Sequence, residues 1–160
     1  MKKSLIFMLI LIFPLSFVFS QENKRDLWFG AGADIALYSY LGAAFGGGIS
    51  FGYGTGMAIG IKAAWFFNEE KIDTLELCFL LRFYLLGKSA YSGPFLQFLG
   101  GPAIFFRTEN LEVPSDAGMI SAGAAFGWRF VINDLWFIEP QIRGGYPYLF
   151  GASISGGVRF

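Results

Sequence analysis

At 160 residues, with 54% hydrophobic and 15% charged residues, the chain is long enough for one domain and too apolar to be disordered. Twelve basic residues balance twelve acidic ones, which excludes the basic footprint that binding to nucleic acid requires. Histidine is absent and Cys78 is the only cysteine, so no Ser-His or Cys-His pair, intrachain disulfide or thiol-rich metal site can form. No residue calls for a catalytic, cofactor-binding or metal-ligating role, and the chain is not expected to be an enzyme.

Residues 1–20 have the pattern of a secretory signal. Lys2 and Lys3 form a positive start, Leu5 to Val18 an apolar stretch, and Val18 and Ser20 are small enough for a cleavage site before Gln21. The apolar run is short for a membrane-spanning helix. Cleavage would leave 10 basic and 12 acidic residues. Residues 21–26 then form a polar leader.

From Leu27 onward the apolar residues recur with period two, the period of a β-strand. Strand 1 is expected at about Leu27–Leu37, with Phe29, Ala31, Ala33 and Ile35 on one face and Gly30, Gly32 and Asp34 on the other. Trp28 has the polar-face parity, though at a strand end it could turn to a membrane interface. Tyr38-Ser39-Tyr40 reads as a tight connection. Strand 2 covers about Ala43–Tyr53, and Gly54-Thr55-Gly56 is a hairpin turn. Strand 3, about Met57–Phe67, alternates Ile59, Ile61, Ala63, Trp65 and Phe67 with Gly60, Lys62, Ala64 and Phe66. Asn68–Asp73 reads as a charged loop.

Strand 4, about Thr74–Leu86, alternates most cleanly. Leu75, Leu77, Phe79, Leu81, Phe83 and Leu85 take one face, and Glu76, Cys78, Leu80, Arg82 and Tyr84 the other. Gly87–Gly93 is a turn. Strand 5 covers about Pro94–Arg107, and the longest loop, Thr108–Ala117, follows. Strand 6 covers about Gly118–Val131, a turn at Asn133-Asp134 leads to strand 7 at Leu135–Gly145, and Gly145–Leu149 connects to strand 8. Pro102 and Pro140 fall inside strands, where bulges or kinks are expected around them.

In the last stretch, Phe150, Ala152, Ile154, Gly156, Val158 and Phe160 share one parity, and Gly151, Ser153, Ser155, Gly157 and Arg159 the other. A strand that ends the chain on an aromatic residue resembles the closing strand of a bacterial outer-membrane β-barrel. With the signal segment and eight alternating strands, the chain from Gln21 resembles the small eight-stranded barrels of the OmpA, OmpX and OmpW kind. The resemblance implies an all-β, antiparallel, up-and-down transmembrane barrel over residues 27–160, with outer-membrane lipid as its surroundings and both termini in the periplasm. It further implies handling by periplasmic chaperones and by the barrel-assembly machinery, with Phe160 as the assembly signal. The competing readings fit less well. A helix through Leu41–Ile61 would carry eight glycines in 21 residues, each costing about 1 kcal/mol relative to alanine. A soluble barrel would not have an outer face of Leu and Phe.

The inward charges are the candidate site: Asp34, Lys62, Glu76, Arg82, Arg129, Glu139 and Arg143, with Arg107 and Arg159 near the rims. Eight strands enclose just enough room for their own side chains. These charges are therefore expected to pair across the lumen, because a lone buried charge is costly. Counting from the strand ends puts Glu139, Arg129 and Arg82 at similar depth. The function expected is a structural or surface role with a filled lumen. The alternative is an OmpW-like narrow pore for small hydrophobic molecules, prompted by Leu80, Phe95, Leu99 and Phe105 standing opposite many small residues. Trp65, Trp128 and Trp136 read as interface girdles. The acidic loop residues Glu69, Glu70 and Asp73 read as a solvated rim.

Overall fold

The computed structural model describes residues 27–39, 41–68, 72–85, 92–107 and 117–160. The expected signal segment 1–20, the leader 21–26, the Gly87 turn and the loop acids Glu69, Glu70, Glu109, Glu112 and Asp116 lie outside the described residues. Eight strands form one closed antiparallel barrel: β1 (Leu27–Tyr38), β2 (Gly42–Gly54), β3 (Met57–Asn68), β4 (Ile72–Tyr84), β5 (Gly93–Arg107), β6 (Ala117–Ile132), β7 (Trp136–Tyr146) and β8 (Tyr148–Arg159). Each strand pairs with the next, and β8 returns to β1, with Trp28 opposite Arg159. The start of β1 and the end of β8 therefore share one rim, the terminal end. Backbone bonds from Phe160 N to Leu27 O (2.8 Å) and from Leu27 N to Phe160 O (3.2 Å) extend this seam.

The barrel is inverted relative to a soluble protein. Its outer wall exposes Phe45, Ile59, Phe79, Ile120 and Ile154, with Phe79 and Ile120 about three-quarters uncovered at 74% and 77%. An apolar belt on every strand suits hydrocarbon, not water. Trp65 stacks on Phe106 at 5.4 Å near one rim, and Trp128 on Phe130 at 6.1 Å near the other.

Local chemistry sets the connections. At the β6–β7 turn Asn133 and Asp134 have φ of 52° and 56°, and Leu135 N bonds Ile132 O at 3.4 Å. Two consecutive positive-φ residues define the type I′ hairpin, which Asn and Asp tolerate better than bulkier residues.

Most strand ends fall one or two residues from the sequence expectation, and the following differences change a connection. Tyr38 belongs to β1 and not to a turn. Ile72 and Asp73 belong to β4 and not to a loop, and Asn68 Oδ1 accepts from Ile72 N at 2.9 Å to tighten that connection. β4 ends at Tyr84, two residues early. β8 starts at Tyr148, so the β7–β8 connection is Pro147 alone.

The two strand prolines need no inserted residue, which corrects the expected bulges. Around Pro102, Glu76 pairs with Ala103 and Phe79 with Gly100; around Pro140, Gly127 pairs with Gln141 and Phe130 with Ile138. The register is unchanged across each gap. Each proline also keeps its other partner, Ile120 for Pro102 and Ile154 for Pro140. The ladder lapses on one side only, where proline has no N–H to donate. The irregularity in the wall lies elsewhere. Leu37 pairs with Phe150 but Tyr38 pairs with Tyr148, so β8 carries one extra residue at Leu149.

Candidate functional site

Glycines and large side chains interlock across the lumen. A Cβ on Gly52 would strike the Trp28 indole, and one on Gly157 the Phe137 ring. One on Gly127 would strike the Phe95 ring, and one on Gly123 the Tyr148 hydroxyl. Small residues on one strand thus receive aromatic residues from another across the lumen. Leu80, Phe95 and Leu99, three of the residues that suggested an apolar channel, are buried in this packing.

Two layers of charge sit inside. At the terminal end, Glu139 of β7 accepts from Arg82 of β4 at both carboxylate oxygens: Nη1 to Oε1 at 2.7 Å and Nη2 to Oε2 at 3.1 Å. Arg129 Nε of β6 also donates to Glu139 Oε1. Arg82 also donates to Gln97 Oε1 (Nε, 2.9 Å) and to the Tyr84 hydroxyl (Nη1, 3.2 Å). All three charged groups are buried, Arg129 to 1% exposure. Their surroundings are aromatic. The Arg82 guanidinium lies 4.1 Å from the Phe95 ring centre and 4.6 Å from that of Trp28; Arg129 lies 4.2 Å from Phe137 and 5.0 Å from Trp28. Rings faced by a cation return some of the solvation lost on burial.

Toward the other rim, Lys62 Nζ meets both oxygens of Asp34 at 3.0 Å. Arg143 Nη1 donates to Glu76 Oε2 at 2.9 Å, and the Tyr38 hydroxyl donates to Glu76 Oε1 at 2.7 Å. Arg143 Nε stands 3.9 Å from Asp34 Oδ1 and links the two pairs loosely. The Arg143 guanidinium lies 4.1 Å from the Tyr148 ring centre. Tyr38 meets Phe66, Phe105 and Tyr148 edge-to-face at this end.

Between the layers lies a cavity of about 20 Å³, lined by Asp34, Lys62, Arg82, Glu139, Gln141 and small residues of β1, β2 and β8. That is room for a water or two beside these polar groups, with Ile49 and Leu80 also in the lining. No small hydrophobic solute fits it.

All seven inward charges named from the sequence occupy the lumen. The structure divides them into two groups, with Glu139, Arg82 and Arg129 in one and Asp34, Lys62, Glu76 and Arg143 in the other. Trp28 does not turn to the interface: it is fully buried against Arg82 and Phe137, as its parity allows. Sequence reasoning missed Tyr38 and Tyr148. Tyr38 keeps the parity of Asp34 and was legible as lumen-facing. Tyr148 shares the outward parity of Phe150, and only the extra residue at Leu149 turns it inside. Arg159, expected near a rim, donates from Nε to the Asp134 carbonyl at 2.6 Å.

The closed eight-stranded wall, the apolar exterior and the charged interior define a transmembrane β-barrel of the bacterial outer-membrane type. Among solved structures, the N-terminal β-barrel domain of Pseudomonas aeruginosa OprF matches with a TM-score of 0.60 at 13% identity, over 88% of this chain and all of that one. Neisserial surface protein A matches with a TM-score of 0.55 at 16% identity, over 84% of this chain and 95% of that one. A de novo designed transmembrane β-barrel matches at 0.50 with 8% identity, over 88% and 98%. At such identities the likeness is one of fold. A designed sequence among these structures underlines that this fold follows from strand number, alternation and closure. No protein-family model matches the chain. No curated protein matches it either.

Proposed function

We propose that this protein is a small integral outer-membrane barrel with a structural or surface role, whose lumen is closed by its own side chains. The observation that carries this reading is the pair of buried ion clusters, set among aromatic side chains that interlock with glycines and with a cavity of only about 20 Å³ between them. In this orientation the terminal end faces the periplasm, and the connections after β1, β3, β5 and β7 face outward. Phe160 acts as the signal read by the assembly machinery. Its exposed ring, 70% uncovered at the rim, supports that role because a receptor can reach it. The aromatic residues outside both rims support a membrane setting.

The test is conductance in planar bilayers, paired with liposome uptake of small apolar solutes. A closed lumen gives no steady conductance and no uptake above that of protein-free vesicles. Steady channel current, or solute entry that scales with protein, would favour the narrow pore for small hydrophobic molecules.

A further inference from the structure

The two charged layers are not equivalent. The layer with Tyr38 holds two cations, Lys62 and Arg143, against two carboxylates, Asp34 and Glu76. Among the described residues, the terminal-end layer holds two guanidiniums against Glu139 alone. The other described acids do not make up the difference. Asp73 lies at the start of β4 on the opposite rim, Asp134 sits exposed on the β6–β7 turn, and the carboxylate of the exposed Phe160 accepts from Leu27 N at the rim. Among the described residues, one positive charge is therefore left buried among aromatic rings, an arrangement that calls for a counter-ion.

The hydrogen bonds identify which cation is uncompensated. Arg82 takes the bidentate share of Glu139 and also bonds Gln97 and Tyr84. Arg129 reaches Glu139 through Nε, and its Nη2, fully buried, has no partner among the described residues. The indole Nε1 of Trp28 is likewise buried without a partner. These two donors belong to neighbouring groups, the Arg129 guanidinium carbon lying 5.0 Å from the Trp28 ring centre. A buried guanidinium N–H and a buried indole N–H donate and cannot accept, so they call for the same thing: an acceptor bearing negative charge.

We propose that Arg129 Nη2 and Trp28 Nε1 form a binding site for a small monovalent anion of the chloride class. The anion accepts from both donors and restores neutrality to the layer. Access is from the terminal rim, since Arg129 lies three residues from the end of β6, about 10 Å of strand. The site does not depend on the lumen being closed, and its readouts are independent of conductance.

The experiment uses the protein purified in detergent, with ionic strength held constant while chloride replaces gluconate. The urea midpoint is expected to rise with chloride and saturate. Trp28→Phe keeps the ring and loses the N–H, so its apparent chloride affinity should fall about five- to tenfold, the worth of one such bond. Arg129→Gln removes the excess charge and should abolish the chloride response. Crystals grown with bromide should show an anomalous peak within hydrogen-bonding distance of both donors. A midpoint indifferent to chloride, a response undiminished in both variants, or a water with no anomalous signal at that position would overturn the proposal. Should Arg129→Gln not fold, Trp28→Phe and the bromide crystals decide.

Discussion

Replacing Glu139 by alanine should be among the most damaging single changes in the barrel. Glu139 accepts three charge-assisted hydrogen bonds from two guanidiniums that are themselves almost wholly buried. Its removal leaves both cations facing each other without a carboxylate, and breaking a buried pair from one side typically costs about 3–5 kcal/mol. Against a typical stability of about 5–15 kcal/mol, that is a large share. The partners should rank unequally. Arg82→Met forfeits four hydrogen bonds, including those to Gln97 and Tyr84, whereas Arg129→Met forfeits one and leaves a neutral Arg82–Glu139 pair. Urea unfolding in detergent, followed by tryptophan fluorescence, should therefore place stability in the order Glu139→Ala and Arg82→Met lowest, then Arg129→Met, then wild type. The double replacement Glu139→Ala/Arg129→Met should lose less than the sum of the two, since the members share partners. An additive cycle, or a Glu139→Ala loss below about 1 kcal/mol, a value typical of a single neutral hydrogen bond, would refute the network's energetic role. The lipid-facing Ile142→Ala serves as control and should leave conductance at the wild-type level.

Gly52→Ala would push a methyl into the Trp28 indole and should cost about 1–3 kcal/mol, whereas Gly100→Ala meets nothing nearer than 3.9 Å and should change the urea midpoint little or raise it slightly. Phe160→Ala keeps the two backbone bonds to Leu27, so it separates assembly from closure: outer-membrane yield in cells should fall while refolding in detergent stays near wild type. Equal yields in cells would remove the signal role. Mass spectrometry of the membrane-inserted protein should find Gln21 as the first residue; a retained 1–20 segment would contradict export by cleavage.

The strands were legible because one solvent, hydrocarbon, imposes a strict alternation on almost every segment. Phe45 through Tyr53 and Leu75 through Leu85 can be assigned to a face by parity alone. Parity also places Trp28 inside, where it sits, and the membrane interface open to a strand-end tryptophan is not taken. Partners within the lumen were less legible. Arg82 and Glu139 lie three strands apart, so no register joins them, and only their common depth suggests a meeting. Tyr148 was beyond reach, because a single extra residue at Leu149 inverts the parity and nothing local marks it. Proline was over-read: Pro102 and Pro140 sit where one missing N–H is tolerated without any change of register.

The seam between β1 and β8 sets an order on the chain's own history. Seven of the eight strand pairings join neighbours in sequence, but Trp28 must wait for Arg159, some 130 residues away. Closing so long a span costs about 2 kcal/mol more chain entropy than closing a ten-residue connection. Until that contact forms, the first strand presents a bare row of amides and carbonyls and the sheet has two ragged margins, the template on which extended chains stick to one another. The interior charges are equally stranded in that interval, because Asp34 and Arg143 stand on opposite sides of the unclosed edge. The protein is thus at its most vulnerable just before it is finished, and whatever escorts it has to shield a nearly complete sheet rather than a loose coil.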